Sequence, residues 1–79
     1  MLKIKNNVDL KELEKYGFEY KSVGLDYAYT NELKKGEYYS ENIIVWPDKL
    51  IQCSGCIERL TLLYDLIKDG LVEKINETD

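Results

Sequence analysis

The stretch from Phe18 to Cys53 most constrains the fold. It is rich in aromatic and β-branched residues and is punctuated by Gly24, Gly36 and Pro47. Period-two alternation is the signature of half-buried strands. Phe18-Glu19-Tyr20-Lys21-Ser22 alternates, and Leu25-Asp26-Tyr27-Ala28-Tyr29-Thr30 alternates again with Leu25, Tyr27 and Tyr29 on one face. Gly24 between them predicts a tight hairpin. Residues 31–36 read as a polar loop with a glycine exit. Residues 37–46 then predict one long strand, or two with a bulge near Asn42. Pro47-Asp48 fits the centre of a turn, because proline fixes φ at its first central position. Residues 49–53 return as the partner strand.

Helices flank this stretch. Asp9-Leu10-Lys11-Glu12 predicts a capping box, with Asp9 accepting from the Glu12 N–H and Glu12 reaching back to the cap. Val8 and Leu13 occupy the positions of a hydrophobic staple. Gly17 followed by Phe18 predicts a Schellman stop, so the first helix spans about residues 10–16. The second helix is expected from near Ser54–Cys56 to about Asp69, ending at Gly70. Its predicted buried stripe is Ile57, Leu60, Leu63, Tyr64 and Ile67, widened by Leu62 and Leu66. Residues 71–75 read as a last strand that could pair with Leu2-Lys3-Ile4-Lys5, and residues 76–79 are expected to fray. The order β-α-β-β-β-β-α-β implies one α+β domain over residues 1–75: an antiparallel, twisted sheet with two helices packed on one face.

Two segments carry a resemblance. Residues 8–18, Val-Asp-Leu-Lys-Glu-Leu-Glu-Lys-Tyr-Gly-Phe, and residues 63–75, Leu-Tyr-Asp-Leu-Ile-Lys-Asp-Gly-Leu-Val-Glu-Lys-Ile, resemble the ends of small proteins from phages, prophages and low-GC Gram-positive bacteria. Together they cover about a third of the chain. Both are structural motifs without catalytic residues, so the resemblance implies an origin more than an activity.

Composition narrows the chemistry. The 79 residues include no histidine, two cysteines and one arginine, with a net charge of −4. Residues 1–35 carry +1 and residues 36–79 carry −5. An acidic chain with one arginine argues against nucleic acid as a partner, since that affinity rests largely on Lys and Arg. Without histidine, Ser/His/Asp and Cys/His arrangements are impossible within one chain. There is no Gly-rich phosphate loop, no cofactor is expected, and no apolar run approaches the ~20 residues that cross a bilayer. The first residues lack an apolar signal core, which predicts a cytoplasmic chain.

Cys53-Ser54-Gly55-Cys56 is the one motif with a mechanism. A thiol at a helix N-terminus feels partial positive charge, which lowers its pKa and makes it nucleophilic. The placement is similar to that of thioredoxin-like proteins, but here the motif follows several strands and the sole proline, Pro47, precedes it. Zinc would need four ligands, so Cys53 and Cys56 could hold it only by bridging two copies of the chain. A structural reading makes Cys53 a small apolar residue on the inner strand face.

The aromatics point to binding. Tyr20, Tyr27, Tyr29, Tyr38, Tyr39 and Trp46 all fall in predicted strands. Aromatic side chains are enriched at protein interfaces, where they bury large area at low entropic cost. The expectation is therefore a non-enzymatic domain that binds a protein partner or a second copy through Tyr27, Tyr29, Tyr38, Tyr39 and Trp46. The helix-free sheet face, carrying Tyr27 or Tyr29 and Tyr38 or Tyr39, is the expected surface. Two alternatives stand beside it: the Cys53/Cys56 redox or zinc site, and acidic mimicry of nucleic acid by one negative face built from Glu37, Glu41, Asp48, Glu58, Asp65, Asp69 and Glu73.

Overall fold

In the computed structural model, which describes residues 2–34, 36–37, 40–54 and 57–75, the aromatic middle forms an antiparallel meander. The elements in order are β1 (Leu2–Ile4), a 3-10 helix (Leu10–Tyr16), β2 (Glu19–Val23), β3 (Asp26–Lys34), β4 (Ser40–Val45), β5 (Ile51–Ser54), α1 (Ile57–Lys68) and β6 (Val72–Lys74). This is the predicted α+β fold and element order. The meander runs β2-β3-β4-β5, and β1 pairs with β6 in a second, two-stranded sheet. The two are joined where Lys3 bridges Leu50 and the Ile4 N–H donates to the Lys49 carbonyl at 2.8 Å.

The β2–β3 hairpin turns on Gly24 and Leu25, with Val23 opposite Asp26. Gly24 has φ 64°, the sign that the first central residue of a type II′ hairpin requires and that glycine adopts without strain. Strand β3 runs to Lys34, through residues expected to form a loop. Its polar end is held by cross-strand pairing, with Asn31 opposite Ile43 and Leu33 opposite Glu41. That register continues past Asn42 without a bulge. The β4–β5 turn is closed by Trp46 N–H to the Leu50 carbonyl at 3.0 Å and Lys49 N–H to the Trp46 carbonyl at 2.7 Å. Lys49 takes φ 74° there. Its ammonium donates to the carbonyls of Asn6 and Val8, both at 2.8 Å, and of Lys5 at 3.5 Å, which ties this turn to the segment after β1.

The first helix is wound more tightly than the α-helix its spacing predicts. Seven residues between two caps are too few for α-helical cooperativity to set the geometry. The predicted capping box is not formed. The Asp9 carboxylate accepts from the Lys11 N–H at 3.0 Å, while Glu12 pairs with Lys15 at 2.7 Å. The predicted stop is present: Gly17 has φ 86°, Gly17 N–H donates to the Glu14 carbonyl, and Phe18 N–H donates to the Leu13 carbonyl. Helix α1 ends in the same way, with Gly70 N–H to Ile67 and Leu71 N–H to Leu66.

Register decides which face is covered. Tyr29 lies opposite Val45 and Asn31 opposite Ile43, so Tyr29, Ile43 and Val45 share one side of the meander. Leu13 and Phe18 from the 3-10 helix and its exit, Leu63 and Leu66 from α1, and Ile4 and Val72 complete the core on that side. Both helices therefore pack on one face. Helix α1 corrects the predicted stripe, because Leu63 and Leu66 are buried whereas Leu60, Tyr64 and Ile67 are exposed. Its apolar arc is wider than the sheet beneath it.

Candidate functional site

The hairpin about Gly24 brings three tyrosines together. Tyr20 lies directly opposite Tyr29, and Tyr27 lies diagonal to Tyr20, opposite Ser22. Alternation puts all three on the helix-bearing face, so the expectation that the helix-free face carries Tyr27 or Tyr29 is corrected. The rings of Tyr20 and Tyr29 have centroids 5.0 Å apart, tilted by 49°. Those of Tyr20 and Tyr27 are 5.5 Å apart and stacked within 29°. These separations fall in the range where aromatic pairs attract beyond their buried area.

The three rings differ in environment. Tyr29 is 8% exposed, and its hydroxyl donates to the Glu14 carboxylate at 3.4 Å, under the 3-10 helix. Loss of water at that position, and then the nearby Glu14 charge, push the Tyr29 phenol above its ordinary pKa of 10.0. Tyr20 and Tyr27 are 59% and 56% exposed, beyond the cover of the helices. Tyr29 thus anchors a stack whose other two rings are presented to solvent. Leu25, at the hairpin tip beside them, is fully exposed. Strand β2 forms the end of the meander, and four of its five residues are exposed.

Tyr20 is the site residue that sequence reasoning passed over. The signal was available: in a two-residue hairpin about Gly24–Leu25, Tyr20 must face Tyr29. Trp46 lies apart from the stack, on the helix-free face by its alternation with Ile44, where its indole N–H donates to Gln52 Oε1 at 3.2 Å. Tyr38, Tyr39 and Cys56 lie outside the described residues. A depression on the helix-free side is lined by Lys21, Val23, Thr30, Glu32, Asn42 and Ile44, together with Ser22.

Cys53 lies on β5 opposite Ile43, which places it on the inner, helix-bearing side as expected, but it is exposed there rather than buried. Among the described residues no three His, Cys, Asp or Glu side chains come together as a metal site requires, and no helix is long and apolar enough to cross a membrane. Of the acidic residues, Glu41 is buried, while Glu37 and Asp48 sit at opposite ends of β4. The Glu58 side chain lies outside the described residues. No protein-family model, curated protein or solved structure matches the chain.

Proposed function

We propose that the chain is a non-enzymatic interaction module that engages a protein surface through Tyr20 and Tyr27 at the open end of its sheet. The observation that carries this reading is the ring cluster, in which Tyr20 packs against buried Tyr29 and Tyr27 stacks on Tyr20, both outer rings being more than half exposed. Rings already held by a neighbour lose little freedom on binding, and their hydroxyls can find polar partners at an interface. A net charge of −4 with one arginine favours a protein partner over nucleic acid. The resemblance of residues 8–18 and 63–75 to phage and prophage proteins supports an accessory role in a phage or mobile element.

Site-specific photocrosslinking tests this reading. A photoreactive phenylalanine analogue at position 27 should crosslink to a discrete protein species, a second copy included. The same analogue at position 32, on the opposite face, should not. Equal yields from both positions, or none from position 27, overturn the proposal.

A further inference from the structure

The end of the sheet carries more information than exposure alone. Val23 and Asp26 flank a two-residue turn, so they form a hydrogen-bonded pair, and such pairs alternate along an antiparallel ladder. Glu19, Lys21 and Val23 therefore direct their backbone groups toward β3. Phe18, Tyr20 and Ser22 direct theirs away from it. The Phe18 N–H is already used by the Leu13 carbonyl at 3.3 Å. The open edge thus offers the Phe18 carbonyl and both backbone groups of Tyr20 and Ser22. An unpaired row of this kind is a template for another strand.

The side chains select the strand. Consider a second copy of β2 laid antiparallel on the first, with outward-facing residues opposite one another. In one register Lys21 faces Lys21 of the second copy, and in another Glu19 faces Glu19. Like charges directly opposite are destabilising. The register that places Tyr20 on the two-fold axis has neither clash. It sets Glu19 opposite Lys21 of the second copy, twice by symmetry, in non-hydrogen-bonded pairs about 4.5 Å apart at Cα, where side chains approach most closely. It pairs Tyr20 N–H with the Tyr20 carbonyl of the second copy, again twice, and Ser22 N–H with its Phe18 carbonyl. On the helix-bearing face the two Tyr20 rings meet, each already stacked on its own Tyr27 and Tyr29. Long-range charge agrees with this geometry: residues 1–35, which include β2, carry +1, while the acidic surplus of −5 lies in residues 36–79. The joint thus brings together the part of the chain that does not repel itself.

We propose that this protein forms a two-fold symmetric dimer by antiparallel pairing of β2 with β2 of a second copy, with Tyr20 on the axis and Glu19–Lys21 pairs on either side, joining two four-stranded sheets into one of eight. This deepens the proposed function and rests on the same edge being the contact surface.

Charge reversal tests the register. Sedimentation velocity over a concentration series should show a reversible monomer–dimer equilibrium. Glu19→Lys and Lys21→Glu should each weaken dimerisation at least tenfold, and the double reversal E19K/K21E should restore it. Ser22→Pro, which removes an outward N–H and leaves the β3 ladder intact, should abolish dimerisation while circular dichroism remains that of the folded chain. A dimer insensitive to all four variants overturns the proposal and assigns the contact to another surface. A chain that stays monomeric at millimolar concentration also overturns it. In that case, a discrete crosslink from position 27 to a different protein would leave the interaction-module reading standing, whereas loss of that crosslink would overturn both.

Discussion

The Tyr16 hydroxyl donates a 2.6 Å hydrogen bond to the Asp69 carboxylate, fastening the end of the 3-10 helix to the end of α1 across 53 residues of chain. Two helices that do not follow one another in sequence are thereby held side by side on the sheet. The hydrogen bond to Asp69, then loss of water, then the charges of Asp69, Glu12 and Asp65 hold the Tyr16 phenol above its ordinary pKa of 10.0.

Tyr16→Phe should therefore lower stability at pH 7 by about 1 kcal/mol, the scale of one hydrogen bond to a charged group discounted for partial solvent access. The pH dependence has a definite sign. Folding raises this pKa, so the contribution is fully present below pH 10 and is lost as pH rises through the folded value. Urea titrations between pH 7 and pH 11 check this. The wild type should lose stability more steeply than Tyr16→Phe at the alkaline end, while Tyr29, whose phenol is raised in the same direction, adds to the loss in both.

Lys49 serves two purposes that substitution can separate. Its backbone is in the left-handed region at φ 74°, and its ammonium is shared among the carbonyls of Lys5, Asn6 and Val8. Lys49→Ala loses the ammonium and keeps the strain, and should destabilise by about 2–3 kcal/mol. Lys49→Gly loses the ammonium but relieves the backbone, and should be milder by about 1 kcal/mol. Chemical denaturation of the two variants measures the difference. An alanine variant as stable as the wild type would show that the carbonyl contacts contribute nothing.

Gly17 is required by backbone and space together. A Cβ at this position would meet Asn31 Nδ2 at 3.1 Å, with φ at +86°. The same Asn31 nitrogen donates to the Gly17 carbonyl at 3.1 Å. Gly17→Ala should cost about 1–2 kcal/mol, combining left-handed strain with a displaced Asn31. Thermal denaturation should show a lower Tm; an unchanged or higher Tm would contradict the cap geometry.

The two sides of α1 should respond unequally to truncation. Leu66 is fully buried in the core, whereas Leu60 is exposed. Leu66→Ala should cost about 2–4 kcal/mol and Leu60→Ala less than about 0.5 kcal/mol. Equilibrium unfolding in urea of both variants distinguishes this burial from the predicted stripe that included Leu60.

These α1 residues also show what periodicity can and cannot convey. The 3.6-residue spacing located the helix, but an apolar arc running from Leu62 round to Tyr64 does not state which part meets the sheet. That depends on where the 3-10 helix docks, and the Tyr16–Asp69 contact settles it only in three dimensions. The same holds for the sheet. Gly24, Pro47 and the glycine stops at 17 and 70 made the meander and both helix ends readable, because each acts through its own backbone. The covered face was not readable: Ile43, Ile44 and Val45 are all apolar, so β4 has no parity, and β3 alternates tyrosine with alanine and threonine, any of which could face inward. The polar run Asn31–Lys34 looked like a loop because its strand character comes wholly from its partner β4. For the site, the residue types were legible and their assembly was not. Tyr27 and Tyr29 could be singled out, while the central position of Tyr20 followed only from the pairing register.

The pairing of β1 with β6 has a kinetic consequence. Leu2 lies opposite Lys74 and Ile4 opposite Val72, so this ladder closes a loop spanning nearly the whole described chain, whereas each hairpin of the meander closes a short one. Closing a long loop carries the greater entropic penalty and slows the step that forms it. The meander is thus placed to assemble first and the terminal ladder to lock over the core afterwards. In the native state the order reverses: amide hydrogens of β1 and β6 should exchange ahead of those of β3 and β4, and the core should open from the side where Ile4 and Val72 seal it.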